Sequence, residues 1–352
     1  MENQIPVYRD ILNQKLALPL VLQYQLGQGR KTLNEAAGLV RGAKQVVVCS
    51  IGASYAAGYS LINQLAAQHI AATLEDAGEL LHYTHHGYDA STVFILISRS
   101  GETIEITRLV GLLKGKGATV IGMTNVADSY LARECDCLLF LNSPPDRLIA
   151  VQTYTATLLV LYLLSEQIAG RLESENCRRE LETFINSFVS DSNKYEGISK
   201  EWNKHIKTYK CIYLLARGAS QSSACEGQLL FHEMAWQAAT FYNAGHFRHG
   251  PWEVMEPGFF GIVFAPDDAC YELNINLALQ IAQRGGDVRL VTHRVPDHLP
   301  KNITVFQVEH SNTYLNPIME IIPMQFFVYE FALRKGHNPG EFRASAPITL
   351  TE

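Results

Sequence analysis

The chain has 352 residues, 47% of them apolar and 18% charged, and a formal net charge of −6. That length suits two domains of ordinary size with well-buried cores. The mild acidity supplies no basic field for a nucleic-acid backbone, and the longest apolar run, near Leu158 to Leu164, is far short of a membrane span.

The N-terminal segment lacks the apolar core of a signal peptide. Seven cysteines form no CxxC and no Cys/His metal spacing. Cys135 and Cys137 alternate on a strand-like stretch and should share one face. Such scattered thiols suit a reducing compartment, so a cytoplasmic protein is expected, with no metal or redox cofactor.

The first 45 residues read as helix, with apolar positions at Leu33, Ala37 and Val40. From Lys44 the pattern alternates. KQVVVCS is a buried-strand run, followed by Gly52-Ala53-Ser54 and a helix from about Tyr55 to Gln68. FILIS, ATVIGMTN and CDCLLFL are further runs of strand length, bounded by turn residues. Strands alternating with helices imply a parallel sheet covered on both faces.

The second half repeats the scheme. CIYLLARGAS matches VVVCSIGAS in order, and GIVFAPDD, DVRLVTHR and ITVFQV stand where FILISRSG, ATVIGMTN and CDCLLFL stood. Gly52 to Thr124 spans 72 positions and Gly218 to Thr292 spans 74, which points to a tandem duplication. The expected fold is α/β: two doubly wound parallel sheets in tandem behind a helical N-terminus. The expected divisions are a helical segment at 1–43, one domain at 44–170, a helical connector at 171–203, a second domain at 204–335 and a tail at 336–352. A closing helix is expected from Pro323.

One stretch carries chemistry. At Ser98-Arg99-Ser100-Gly101-Glu102-Thr103 a buried strand meets a helix, the place where doubly wound sheets bind ligands. Free backbone N–H groups and a positive dipole end suit a phosphate there. Gly101 permits close approach, and three hydroxyls add donors. The plainer alternative is that Ser100 caps the helix. Ser54, on the neighbouring strand-to-helix turn, weighs towards phosphate.

This stretch resembles the S-x-S-G-E-T signature of the sugar isomerase (SIS) domain, as found in the isomerase half of glucosamine-6-phosphate synthase. Gly52-Ala53-Ser54-Tyr55-Ala56-Ala57-Gly58 resembles that family's first strand–helix turn, and Ala150-Val151-Gln152-Thr153-Tyr154 its V-A-S-T-K. Cys225-Glu226-Gly227-Gln228-Leu229 resembles its A-L-E-G, and Gly245-His246-Phe247-Arg248-His249-Gly250-Pro251 its G-E-L-K-H-G-P. The resemblance runs in order along almost the whole chain and implies flavodoxin-like SIS domains. It implies phosphate contacts from Ser98, Arg99, Ser100 and Thr103, with Ser54, Gln152 and Thr153 reaching sugar hydroxyls. Arg99 replaces the usual glutamine and could pair with a phosphate or a carboxylate.

Glu226 and Glu233 lie seven residues apart, nearly on one helical face. Glu233 sits in the apolar stretch QLLFHEMAWQAA, where desolvation would raise its proton affinity and suit a general base; the alternative is a surface carboxylate in a helical ion pair. By the resemblance Glu233 holds the place of the family's proton-shuttling glutamate, and Glu226 is structural. His249 holds the place of the H-G-P histidine, credited with acid–base work on ring opening. His246 competes for that role, and His232 points about 100° away from Glu233. Homodimers with shared sites are implied, and a higher oligomer is compatible with them.

Two family lysines are missing: Leu230 and Pro347 stand in their places. The sequence has no cysteine at position 2 and no glutaminase half, so synthesis of glucosamine 6-phosphate from glutamine is not expected. In lacking the lysines the chain resembles deglycases of Amadori compounds, such as fructoselysine and glucoselysine 6-phosphate deglycases. The substrate implied is a phosphorylated sugar or sugar–amine. An aldose–ketose isomerase, an amino-sugar-phosphate deaminase and a non-catalytic sugar-phosphate sensor are the alternatives. Nucleic acid and membrane are not expected partners.

Overall fold

In the computed structural model, described over residues 5–204, 207, 209–308 and 312–344 (backbone only for 188–193), the chain alternates strands and helices twice. The first copy runs α1 (Pro6–Leu26), α2 (Arg30–Gly42), β1 (Gln45–Ser50), α3 (Gly52–Ala67), β2 (Ala72–Asp76), α4 (Ala77–His82), β3 (Thr92–Ile97), α5 (Ile104–Gly115), β4 (Thr119–Thr124), α6 (Tyr130–Glu134), β5 (Cys137–Phe140) and α7 (Gln152–Ile168). After α8 (Glu175–Lys204), the second runs β6 (Ile212–Ala216), α9 (Gln221–Ala235), β7 (Ala239–Asn243), β8 (Phe260–Ala265), α10 (Tyr271–Gln283), β9 (Asp287–Thr292), β10 (Ile303–Gln307) and α11 (Asn316–Arg334). Asn13–Ile185 form one compact unit; Asn186–Glu341, with the start of α1 up to Leu12, form the other.

Both sheets have five parallel strands in one topology, β2-β1-β3-β4-β5 and β7-β6-β8-β9-β10. Every pairing is parallel, with Ile95 of β3 between Val48 and Ile121, and Ile262 of β8 between Leu214 and Arg289. The central strands β3 and β8 are buried along their whole length. Helices cover both faces there, so no alternation survives in FILI or GIVF. Phe94, Leu96 and Val120 pack against Ile106, Leu109 and Leu113 of α5. Leu215, Val263 and Leu290 pack against Leu277 and Ile281 of α10 in the equivalent layer.

The edge strands β2 and β7 escape the sequence reading. Their burial is patchy, so ATLED and ATFYN carry no apolar run to betray them. Cys135 is off the strand: it caps α6, and β5 starts at Cys137, so the two thiols do not share a strand face. The closing helix starts at Asn316, with Pro317 in its first turn and Pro323 inside it. Burial of nearly every α11 side chain offsets the roughly 3 kcal/mol that an interior proline costs. The start of α1 packs on this helix, with the Tyr8 and Tyr329 rings 5.1 Å apart.

Candidate functional site

In the first unit the strand order reverses between β1 and β3, and the loop Ser98–Thr103 leaves the carboxyl end of β3 at that point. Ser50 Oγ donates to the carbonyl of Ile97 at 2.5 Å, tying the two strand ends. The loop is internally bonded. The N–H of Gly101 donates to Ser98 Oγ (3.1 Å), the N–H of Glu102 donates to Ser100 Oγ (3.2 Å), and the Ser98 and Thr103 hydroxyls lie 3.1 Å apart. Glu102 reaches away and accepts from the N–H of Tyr130 at 2.7 Å, fastening the loop to α6.

Gly101 has φ +66°, and a Cβ there would lie 2.1 Å from Ser129 Oγ. Only glycine fits. Thr103 is the N-cap of α5, yet no side chain caps the helix. Ser100 Oγ bonds the N–H of Glu102, ahead of the helix, so the start of α5 lies beside three hydroxyls with no cap bond from Thr103. Arg99 extends across the loop, and its Nη1 donates to the carbonyl of Leu148 at 3.2 Å. Ser54 lies in the first turn of α3, half-buried, on the adjacent strand end.

Gln152 and Thr153 open α7 and are buried. Gln152 Oε1 accepts from Asn13 Nδ2 at 2.7 Å, and its Nε2 donates to the carbonyl of Pro145 at 3.0 Å. Asp146, which the sequence reading passed over, accepts from the N–H groups of Gln152 (2.9 Å) and Thr153 (3.2 Å) and from the Thr153 hydroxyl. Thr153 is thus tied to its own loop, and Gln152 to that loop and to α1. The turn residues Pro144-Pro145-Asp146 were the available signal.

Glu233 and His249 belong to the other unit. Glu226 is buried on α9, while Glu233, near the helix's end, is half-buried. Leu230, Phe231, Met234 and Ala235 beside it take the core-facing positions. His232 Nε2 lies 3.0 Å from the carbonyl of Ala239, a tie between α9 and β7. A second buried carboxyl of this unit is Glu320 on α11. Ser220 Oγ donates to its Oε1 and Ser223 Oγ to its Oε2, both at 2.8 Å. Burial raises its pKa to about 7, Asp268 adds to the rise, and the two hydroxyls oppose it.

The loop after β7 is anchored by Phe247, fully buried among Tyr213, Tyr242, Trp252 and Phe259. With Phe247 inward, His246 and His249 are both exposed. The His246 ring stacks on Tyr242, with centroids 6.3 Å apart. Among the described residues no hydrogen bond or ring contact holds the His249 imidazole. Among the described residues no cluster of His, Cys, Asp or Glu could hold a metal, and no helix is long and apolar enough to cross a membrane. The C-terminal run containing Pro347 lies outside the described residues.

The SIS domain family matches this chain twice, at residues 39–166 and 205–335. Glutamine–fructose-6-phosphate aminotransferase (isomerizing) of Pyrobaculum aerophilum is 30% identical over 327 residues, covering 91% of this chain and 54% of that protein. The chain spans about half the length of the curated relatives it matches. The C-terminal domain of glucosamine-fructose-6-phosphate aminotransferase from Francisella tularensis superposes with a TM-score of 0.84 at 21% identity, covering 96% of this chain and 98% of that one. Tagatose-6-phosphate ketose/aldose isomerase from Escherichia coli superposes with a TM-score of 0.80 at 17% identity, covering 96% and 95%.

Proposed function

Because the chain belongs to the SIS-domain family and carries the domain twice, we propose that it is an enzyme acting on a phosphorylated sugar–amine conjugate. The observation that carries the phosphate part is the α5 terminus: a helix start whose N-cap residue Thr103 makes no cap bond, beside Ser98 and Ser100, at the strand-order reversal. A dianionic phosphate gains both the helix-end N–H groups and the dipole there.

The finer reading is a deglycase. Leu230, where the related synthases keep a lysine, is fully buried in apolar packing, so no amine stands there for a Schiff base. A substrate with its amine on C1 beside a C2 ketone needs none. Glu233 takes a proton from C1 to give the enaminol, and a proton returned to C2 leaves the imine at C1. Water adds to that imine and expels the amine, yielding an aldose 6-phosphate. His249 moves protons on the sugar oxygens during ring opening.

The test is an amine-release assay on fructoselysine 6-phosphate, glucoselysine 6-phosphate and glucosamine 6-phosphate, comparing wild type with Glu233→Gln. Release of an amino acid with an aldose 6-phosphate is expected, reduced at least ~100-fold in the variant with sugar-phosphate binding retained. Interconversion of aldose and ketose without amine release would make the protein an isomerase. Tight binding with neither reaction would make it a sensor.

A further inference from the structure

In the second unit the loop that corresponds to Ser98–Thr103 is Pro266-Asp267-Asp268-Ala269-Cys270, between β8 and α10. Two carboxylates there, Asp267 paired with Arg294 at 3.7 Å, and the buried Glu320 bonded to Ser220 make that strand-order reversal less suited to an anion than the first. Two further arginines of this unit gather elsewhere. Arg248 and Arg284 both lie over the Trp252 ring, with guanidinium carbons 5.2 and 5.3 Å from its centroid. Together with Gln280 and Gln283 they line an open cleft of about 450 Å³.

This cleft lies by the end of α10 that is remote from the Asp267–Asp268 loop. α10 starts at the carboxyl end of β8 and descends, so Gln280, Gln283 and Arg284 lie at its far end, just before β9 begins at Asp287. Trp252 occupies a one-turn 3₁₀ segment, Pro251–Val254, on the chain leading down to β8. Phe247 and Trp252 meet edge to face at 5.8 Å, which fixes the indole.

Two like charges drawn onto one ring repel unless something anionic pairs with them. Among the described residues neither guanidinium has a carboxylate partner. Arg248 Nη1 donates to Gln280 Oε1 at 2.8 Å, and Arg284, exposed, is held by the indole alone. Glu253 and Glu256, the nearest carboxylates in sequence, are exposed and form no ion pair with either arginine. Stacking uses the flat face of a guanidinium and leaves its N–H edge for in-plane oxygens, the arrangement that binds phosphate in a bidentate way. The volume falls within the range of small-molecule sites.

We propose that the Arg248–Trp252–Arg284 cleft is a second anion site, separate from the sugar-phosphate loop, that takes a small dianion: inorganic phosphate or the phosphate of a monoester. A dianion matches the two fixed positive charges, and Gln280 and Gln283 provide polar contacts at the rim. Because Arg248 adjoins His249, an occupant would bear directly on the loop that carries that histidine.

The experiment is calorimetric titration of the full-length chain with inorganic phosphate and, separately, glucose 6-phosphate, at ionic strength held constant with chloride. It is run on the Ser98→Ala/Ser100→Ala/Thr103→Ala variant, so that failure of the proposed phosphate loop and failure of the cleft are read apart. Saturable binding is expected to survive in that variant and to weaken at least about tenfold when Arg284→Gln is added. Arg284→Lys should restore part of the loss. Whichever probe binds more tightly identifies free phosphate or an ester as the occupant. Unchanged affinity in Arg284→Gln, or no saturable binding in the triple variant at millimolar ligand, overturns the proposal. So does a result in which Arg284→Gln alters only the sedimentation of the protein, since the arginines would then belong to a contact between copies.

Discussion

The two strand-order reversals share a backbone device and differ in charge. In the first unit Ser100 Oγ accepts from the N–H of Glu102, two residues on. In the second, Asp268 Oδ1 accepts from the N–H of Cys270, also two residues on. The hydrogen bond is the same, but a hydroxyl in one is a carboxylate in the other, and Gly101 takes a positive φ that Ala269 does not. Burial, and then the neighbouring Asp267, push the Asp268 pKa up. The serine on the adjacent helix follows suit: Ser54 is half-buried, whereas Ser220 is buried and bonded to Glu320. The two copies keep one side-chain-to-backbone hydrogen bond and differ in the charge of its acceptor and in the backbone conformation one residue later.

The sharpest way to break the first copy is Gly101→Ala. Its positive φ penalises any side chain, and the new Cβ would collide with Ser129. Strain and overpacking together should cost about 4 kcal/mol and abolish sugar-phosphate binding. The corresponding position in the second loop is already an exposed alanine, Ala269, so Ala269→Gly should change stability by less than about 1 kcal/mol. Urea denaturation of both variants makes the comparison, and equal losses would mean that the two loops do not differ as described.

Next in size is Glu320. Its folded pKa is raised to about 7 from an ordinary 4.5. The folded protein therefore holds that proton more tightly than the unfolded chain. Its contribution to stability is fully present below pH ~4.5 and is lost as pH rises through ~7, a change of about 3 kcal/mol. Glu320→Gln keeps the donor–acceptor pattern of the protonated acid and cannot ionise. The variant should match wild type at pH 4 and exceed it by up to ~3 kcal/mol at pH 8. Parallel stability curves for the two proteins would show that Glu320 does not titrate in this range.

These contrasts also show what the sequence could and could not disclose. Central strands are legible because burial on both faces leaves an unbroken apolar run, as in FILI and GIVF. The edge strands β2 and β7 have no such run. Their places are set by pairing to β1 and β6, a long-range matter. The hydroxyl loop was legible because its residues are contiguous. The Arg248–Trp252–Arg284 cleft was not, since α10 returns Arg284 to a ring more than thirty positions earlier in the chain. Glu320 was within reach: it interrupts the apolar run PIMEIIPM, and the desolvation reasoning applied to Glu233 fits it better.

The smallest effect tests where the copies agree. Asp76 ends β2, and its Oδ1 accepts from the N–H groups of Gly78 (2.9 Å) and Glu79 (3.2 Å). Asn243 ends β7, and its Oδ1 accepts from those of Gly245 (2.9 Å) and His246 (3.3 Å). One side-chain-to-backbone turn thus follows the edge strand in both units, a helix N-cap only at Asp76, although one residue is charged and the other is not. Asp76→Ala and Asn243→Ala should each cost about 1 kcal/mol, read by thermal unfolding. They should part company in function, because Asn243 also sets the entry of the His246–His249 loop. Asn243→Ala should lower turnover several-fold more than Asp76→Ala, while Asn243→Asp, which keeps the acceptor, should restore it. Equal activity in the two alanine variants would reduce both turns to local stabilisers and detach the Asn243 turn from any role in placing His249.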